Sequence, residues 1–274
     1  MLNQLILNVM ETVIMSDFKN KYGPWAIVTG ASSGIGMEFS RQLAAKGLNL
    51  FLIARREERL KALASDLSSK HGIEARIIAV DVSSEDFLSG IRSVTSGFEI
   101  GLLINNAGFT NTGALVENNL EDEIRLLHVN CRAPLMLAHE FGKQMKDRRK
   151  GGIVFLASIV AFASAPGWTN YCASKAYDLM LAEGLAAEMK EYGVDVLALC
   201  PGFTRTEFQK LARINDLIAM DAEPVVRMAL DKLGKSGIAV PGLFNKFASF
   251  STRFQPRLLN TFIYKLVIRP SQQH

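Results

Sequence analysis

Residues 25–47 read "WAIVTGASSGIGMEFSRQLAAKG". "WAIVTG" is a short unbroken apolar run, the pattern of a strand, and "GMEFSRQLAAKG" places apolar residues at helical spacing and ends on Gly47. Between them Gly30, Gly34 and Gly36 are spaced G-x3-G-x-G, so a strand turns into a helix through a glycine-rich loop. The spacing is not GxGxxG, and with no Lys after the last glycine it is not a P-loop. The physics is shared with both. Glycines allow a tight turn and a close approach of pyrophosphate, and a helix N-terminus offers free N–H groups and partial positive charge. Ser32 and Ser33 add hydroxyl donors. A plain strand–helix turn would be spelled the same way; the position of this one, directly after the first strand, favours nucleotide binding.

Beyond this unit the alternation continues. "LNLFLIA", "ARIIAV", "GLLINNAG", "GGIVFLAS", "VDVLALC" and "GIAVPG" are further apolar runs, most of them separated by amphipathic helical stretches such as "EERLKALASDLSSKHG". Strands of this length alternating with helices indicate βαβ units, and their continuous apolar character suits strands buried on both faces. The expectation is an α/β fold: one doubly wound parallel sheet over about residues 24–241, with extensions at 1–23 and 242–274. Ligands of such sheets bind beyond the carboxyl ends of the strands.

Composition agrees with a single large core. The chain has 274 residues, 49% of them hydrophobic, and a net charge of +4, too small to indicate nucleic acid. Cys131, Cys172 and Cys200 are odd in number and far apart, which argues against a disulfide framework or a zinc site and for a reducing compartment. The start, "MLNQLILNVMETVIM", has no basic leader and no run of about 20 apolar residues, so it reads as an amphipathic helix rather than a signal or span. A cytoplasmic location is expected, with peripheral membrane contact left open.

Several residues at strand ends carry chemistry. Arg55 and Arg56 end the second strand where the adenosine ribose of a dinucleotide would lie; an acidic residue there suits a 2′-hydroxyl, an arginine a 2′-phosphate, so NADP is favoured over NAD. Asp81 in "AVDVSS" either accepts from an adenine amino group or caps the next helix. "NNAG", 105–108, is either a turn or a wall of the cofactor site. His128 and His139 sit in helices without acid–base partners and read as structural or solvated.

With "TGASSGIG", "NNAG", Asn130 in "HVNCRAP", Ser158 in "FLASIVA", "YCASK" at 171–175 and "PGFTRT" at 201–206, the chain resembles the short-chain dehydrogenase/reductase family, NADP-preferring type, across about residues 24–210. The resemblance implies a nicotinamide-dependent oxidoreductase with a catalytic set of Asn130, Ser158, Tyr171 and Lys175. It also implies cofactor contacts from Gly30, Ser32, Ser33, Gly34, Ile35, Gly36, Arg55, Arg56, Asp81, Val82, Asn105, Ala107, Gly108, Tyr171, Lys175, Pro201, Gly202 and Thr204, and no metal. Softer likenesses point to acyl or steroid-type ketones. The spacing Tyr171–Lys175 is one helical turn, and an ammonium that close favours the phenolate, easing proton exchange in both directions. Ser158 would hydrogen-bond the substrate oxygen. In the family, Asn130 holds a local kink and a water that passes protons to Lys175. Cys172 points about 100° away around the helix and has no catalytic part. A regulator that senses NADP without turnover is the alternative on the same fold.

Three expectations concern the surroundings. The apolar residues Leu211, Ile214, Leu217, Ile218 and Met220 suit a lid over a hydrophobic substrate. The long helices at about 116–148 and 168–191 are where relatives commonly pair, implying a homodimer or homotetramer. After Asp231 there are no acidic residues but seven basic ones, Lys232, Lys235, Lys246, Arg253, Arg257, Lys265 and Arg269, interleaved with Leu243, Phe244, Phe247, Phe250, Phe254 and other large apolar residues. This extension either lies on an anionic membrane or packs on the fold or a partner subunit.

Overall fold

The computed structural model describes residues 17–207, 219–252, 254–256 and 259–261. In it the apolar runs become seven strands: β1 Trp25–Thr29, β2 Asn49–Ala54, β3 Ala75–Ala79, β4 Ile100–Asn105, β5 Gly151–Leu156, β6 Val194–Leu199 and β7 Ile238–Ala239. They form one sheet in the order β3-β2-β1-β4-β5-β6-β7, and every pairing is parallel. The helices are α1 Gly34–Ala45, α2 Glu57–His71, α3 Phe87–Thr95, α4 Leu120–Leu127, α5 Ala133–Arg148, α6 Thr169–Met189, α7 Ala222–Lys232 and α8 Leu243–Ser251.

Alternation along the strands divides the core in two. Trp25 and Ile27 of β1, with Phe51, Ile53, Leu103, Ile153 and Phe155, face the layer that contains Leu137, Phe141 and Met145 of α5. Ala26 and Val28, with Leu50, Leu52, Leu102, Ile104 and Val154, face Phe39 and Leu43 of α1, Leu60 and Leu63 of α2, and Val225 and Val226 of α7. Successive side chains point to opposite faces, so both faces must be apolar, which is why the strands are spelled as unbroken runs.

Chain order reverses between β1 and β4, and there the loops after the two strands separate. The junction is tied by Thr29. Its hydroxyl donates to the Ile104 carbonyl at 3.1 Å and accepts from the backbone N–H groups of Asn106 at 2.9 Å and Ala107 at 3.0 Å. The Asn106 amide returns a bond to the Thr29 carbonyl at 2.8 Å. Gly36 presses against this knot: a methyl group there would strike the Gly30 carbonyl and the Asn106 amide nitrogen.

Some expectations fall on residues outside those described. The N-terminal residues 1–16 and the lid residues Leu211, Ile214, Leu217 and Ile218 lie outside the described residues, as do Arg253, Arg257, Lys265 and Arg269. Met220 is described and pairs with Thr204 through a parallel bridge. The three cysteines are free thiols.

Gly36→Ala is expected to cost about 1–3 kcal/mol, as overpacking against backbone does. The expected observation is a lower midpoint of urea unfolding with an unchanged slope.

Candidate active site

A cleft of about 360 Å³ opens at the carboxyl edge of the sheet, over the gap between β1 and β4. Each of its walls begins where a strand ends. Gly30, Ser32, Ser33, Gly34 and Ile35 follow β1, and Arg55 and Arg56 follow β2. Asp81 and Val82 follow β3, and Asn106, Ala107, Gly108 and Phe109 follow β4. Ser158 follows β5, Tyr171 and Lys175 come from α6, and Pro201, Gly202 and Thr204 follow β6.

Two of the expected contacts are turned away from this cleft. Asn105 is the last residue of β4; its amide reaches the Pro134 carbonyl at 3.4 Å on the far side, and its neighbour Asn106 takes the cleft side. Gly36 serves the packing described above. Asn130 also stands behind the wall. Its amide oxygen accepts from the Phe109 N–H at 3.1 Å, and its nitrogen donates to the Phe109 carbonyl and to the Ser174 hydroxyl, each at 3.0 Å. The helix around it is locally widened into a π-turn, His128–Arg132, and Asn130 clamps the loop that carries Gly108. His128 and His139 do not line the cleft.

The phosphate end fits an anion. Gly30 has φ +66 and Gly34 φ +55, the left-handed region glycine tolerates. A Cβ on Gly30 would meet the Ala107 Cα at 3.0 Å. Ser33 is the N-cap of α1 yet makes no side-chain cap, which leaves first-turn N–H groups available to a ligand. Arg56 donates to the Ser32 hydroxyl from Nε at 3.2 Å and to the Ser33 hydroxyl at 2.8 Å. Arg55 is exposed and lies 3.7 Å from Asp81. Asp81 accepts from the Ser83 N–H at 3.0 Å and from Arg125 at 2.8 Å. Burial works against its carboxylate, but the Ser83 and Arg125 bonds hold the pKa below the ordinary value. The alternative that Asp81 caps the next helix does not hold, since that helix begins at Phe87 with Asp86 as its N-cap; Asp81 braces the turn at Ser83 and lines the cleft.

At the other end Tyr171 is buried, with its ring edge-on to Trp168 at 5.7 Å and the Lys175 ammonium 6.0 Å from its centroid. Burial pushes the phenol above its ordinary pKa, while Lys175 and the Ser158 hydroxyl pull in the opposite direction. The ammonium acts as expected, but desolvation is the larger effect. Lys175 donates to the Leu156 carbonyl at 2.7 Å and to Asp178 at 3.0 Å. Burial disfavours its charge, yet Asp178 and Tyr171 outweigh burial and leave the ammonium more basic than usual. Asp178 is pushed up to about 6 by burial despite Lys175. Sequence reasoning passed over Asp178, Ser174, Arg125, Arg59 and Glu207; Asp178, three residues after Lys175, was the one with a signal, since that spacing brings side chains together.

Comparison with known proteins agrees with this geometry. The family described as short chain dehydrogenase matches residues 24–216. The very-long-chain 3-oxoacyl-CoA reductase of Phaeosphaeria nodorum is 30% identical over 265 residues, 94% of this chain and 77% of that protein. A solved 7beta-hydroxysteroid dehydrogenase superposes with a TM-score of 0.83 at 25% identity, covering 90% of this chain and 98% of that one. A short-chain dehydrogenase from Sphingobium yanoikuyae, solved in complex with NADPH, gives 0.76 at 31% identity, covering 85% and 94%. With the family's motifs on one cleft at the switch point of a parallel sheet, and with this likeness over most of its length, the chain belongs to the short-chain dehydrogenase family.

Proposed function

We propose that this oxidoreductase interconverts a hydrophobic ketone and its alcohol, acyl or steroid-like, with NADP(H) as cofactor. The observation that carries the reading is the buried Tyr171 phenol set between the Lys175 ammonium and Ser158 in the cleft that the glycine loop also lines. Arg55 and Arg56 at the ribose corner support the 2′-phosphate, as does the NADPH held by the Sphingobium yanoikuyae relative. Phe109, Ile159, Val160, Trp168 and Phe203 make the substrate end apolar. The P. nodorum relative is named for an acyl substrate and the structural relative for a steroid. A regulator without turnover has no feature of the site in its favour.

When bound, the cofactor supplies or accepts the hydride at the substrate carbon. Tyr171 gives its proton to the carbonyl oxygen during reduction and takes it back during oxidation. Its raised pKa keeps it protonated near neutrality, the form that reduction needs. Lys175 stabilises the phenolate left behind, and Ser158 donates to the substrate oxygen as charge develops. Asn130 positions the Phe109 backbone. Tyr171→Phe removes only the proton donor; turnover should fall about 10²–10⁴-fold while NADPH binding, followed by its fluorescence, persists. Retention of most activity would remove Tyr171 from this role.

Pairing is proposed through the outer helices. Val116 is 93% exposed and Met180 61%, and Leu120, Ile124, Leu127, Leu135 and Tyr177 are exposed beside them on or next to α4, α5 and α6. Exposed apolar side chains on neighbouring helices are what a subunit interface would cover. Light scattering at micromolar concentration is expected to give a dimer or tetramer, and Met180→Glu with Leu120→Glu to give monomers.

For the C-terminal extension we propose contact with an anionic membrane surface. Helix α8 is amphipathic in the inverse sense. Its polar side faces the protein, with Ser249 7% exposed and the Asn245 amide bonded to the Pro241 carbonyl at 2.8 Å. Phe244 is 82% exposed, Phe247 73%, and Leu243, Phe250 and Phe254 stand out with them. Packing at the base of the fold would put these rings inside. The excess of basic residues after Asp231 suits anionic lipid. Among the described residues no helix is long and apolar enough to cross a membrane. The full chain should float with phosphatidylserine vesicles at low salt and less at high salt, and Phe244→Ser/Phe247→Ser should stay behind while remaining active. No flotation at low salt refutes the membrane surface, and a changed oligomeric state of the double variant reassigns it to a partner subunit.

A further inference from the structure

The corner of the cleft where β2 meets α2 already holds an anion, and it is the protein's own. Glu207 closes the "PGFTRTE" segment after β6 and lines the cleft. One of its carboxylate oxygens accepts from Arg56 at 2.7 Å, and the other accepts from Arg59 on the first turn of α2. The same Arg56 guanidinium also holds the hydroxyls of Ser32 and Ser33. Two guanidinium groups and two serines of the glycine loop thus converge at the place where the 2′-phosphate is expected, and a carboxylate fills it.

This is unlike an ordinary surface ion pair between neighbours on a helix. It links positions 151 and 148 residues apart in sequence and joins α2 and the residue before it to the segment that follows β6. The hydrogen bonds from Arg56 and Arg59 also hold the Glu207 carboxyl below its ordinary pKa, so it is ionised throughout the neutral range.

We infer that Glu207 occupies the site of the cofactor's 2′-phosphate and must be displaced by it, and that Arg59 is a further residue that selects NADP(H). The inference rests on the NADP(H) reading. A phosphate monoester near neutrality carries up to two negative charges and three acceptor oxygens, so it outcompetes a single carboxylate for the paired arginines. A cofactor without that phosphate leaves the Glu207 contact undisturbed. The contact therefore lowers affinity for the phosphorylated cofactor alone, and couples its binding to release of the segment containing Thr204 and Thr206.

The test is calorimetric and needs no turnover. Wild-type protein and Glu207→Gln are titrated with adenosine 2′,5′-bisphosphate and with adenosine 5′-monophosphate. Glu207→Gln should bind the bisphosphate roughly three- to tenfold more tightly and the monophosphate within about twofold of wild type. Arg59→Ala should weaken the bisphosphate selectively. An unchanged or weaker bisphosphate affinity in Glu207→Gln, or an equal change for both nucleotides, overturns the displacement. NADPH and NADH titrated into wild type judge the cofactor reading separately: a preference for NADH overturns that reading, while the Glu207→Gln comparison alone decides the displacement.

Discussion

One hydroxyl group holds the cleft open. Thr29 ends β1 at the point where the strand order reverses, and its oxygen bonds to β4 and to the loop beyond it. With the connections after β1 and β4 running to opposite sides of the junction, the backbone groups at this point would otherwise lack partners, and buried backbone groups without partners are costly. The Thr29–Asn106 knot satisfies them and fixes the distance between the glycine loop and the β4 loop. Every later element of the site takes its position from those two loops. The glycines are needed because the knot is tight: Gly30 and Gly36 lie where a side chain would collide with Asn106.

The second constraint is electrostatic. Lys175 is an ammonium with almost no contact with water, a situation tolerable only with partners. The Leu156 carbonyl and Asp178 provide them and also fix the side chain beside Tyr171. The phenol is thus held protonated by burial and yet faces a cation that stabilises it once its proton has gone. The proton exchange proposed for Tyr171 requires both conditions in one place.

Much of the fold was legible because parallel strands buried on both faces have no polar alternation to obscure them. All seven runs read as strands are strands, and the loop after "WAIVT" opens a helix as its glycines suggest. The site was legible where residue type and spacing carry chemistry, as in Tyr171 and Lys175. It was not legible where geometry decides between neighbours. Asn105 and Asn106 are adjacent amides, and only the pleat of β4 determines which faces the cleft. Arg59 and Glu207 look like solvated charges because their contact joins distant parts of the chain. The direction of the Tyr171 shift was missed for a similar reason: the ammonium four residues away is visible in the sequence, while the depth of burial is a property of the whole fold.

The π-turn at His128–Arg132 has a consequence of its own. A π-turn accommodates one residue more than a regular helix would over the same length. The surplus is absorbed locally, so α4 and α5 keep their faces on α6 and on the sheet as if the rod were unbroken, and Leu126 and Leu137 are both fully buried. The surplus is also what turns Asn130 inward to Phe109 and Ser174. Excising one residue here would restore an ordinary helix and leave the layers in phase, while depriving the loop over Gly108 of its clamp. The architecture and the active centre are separable at this point by a single position in the chain.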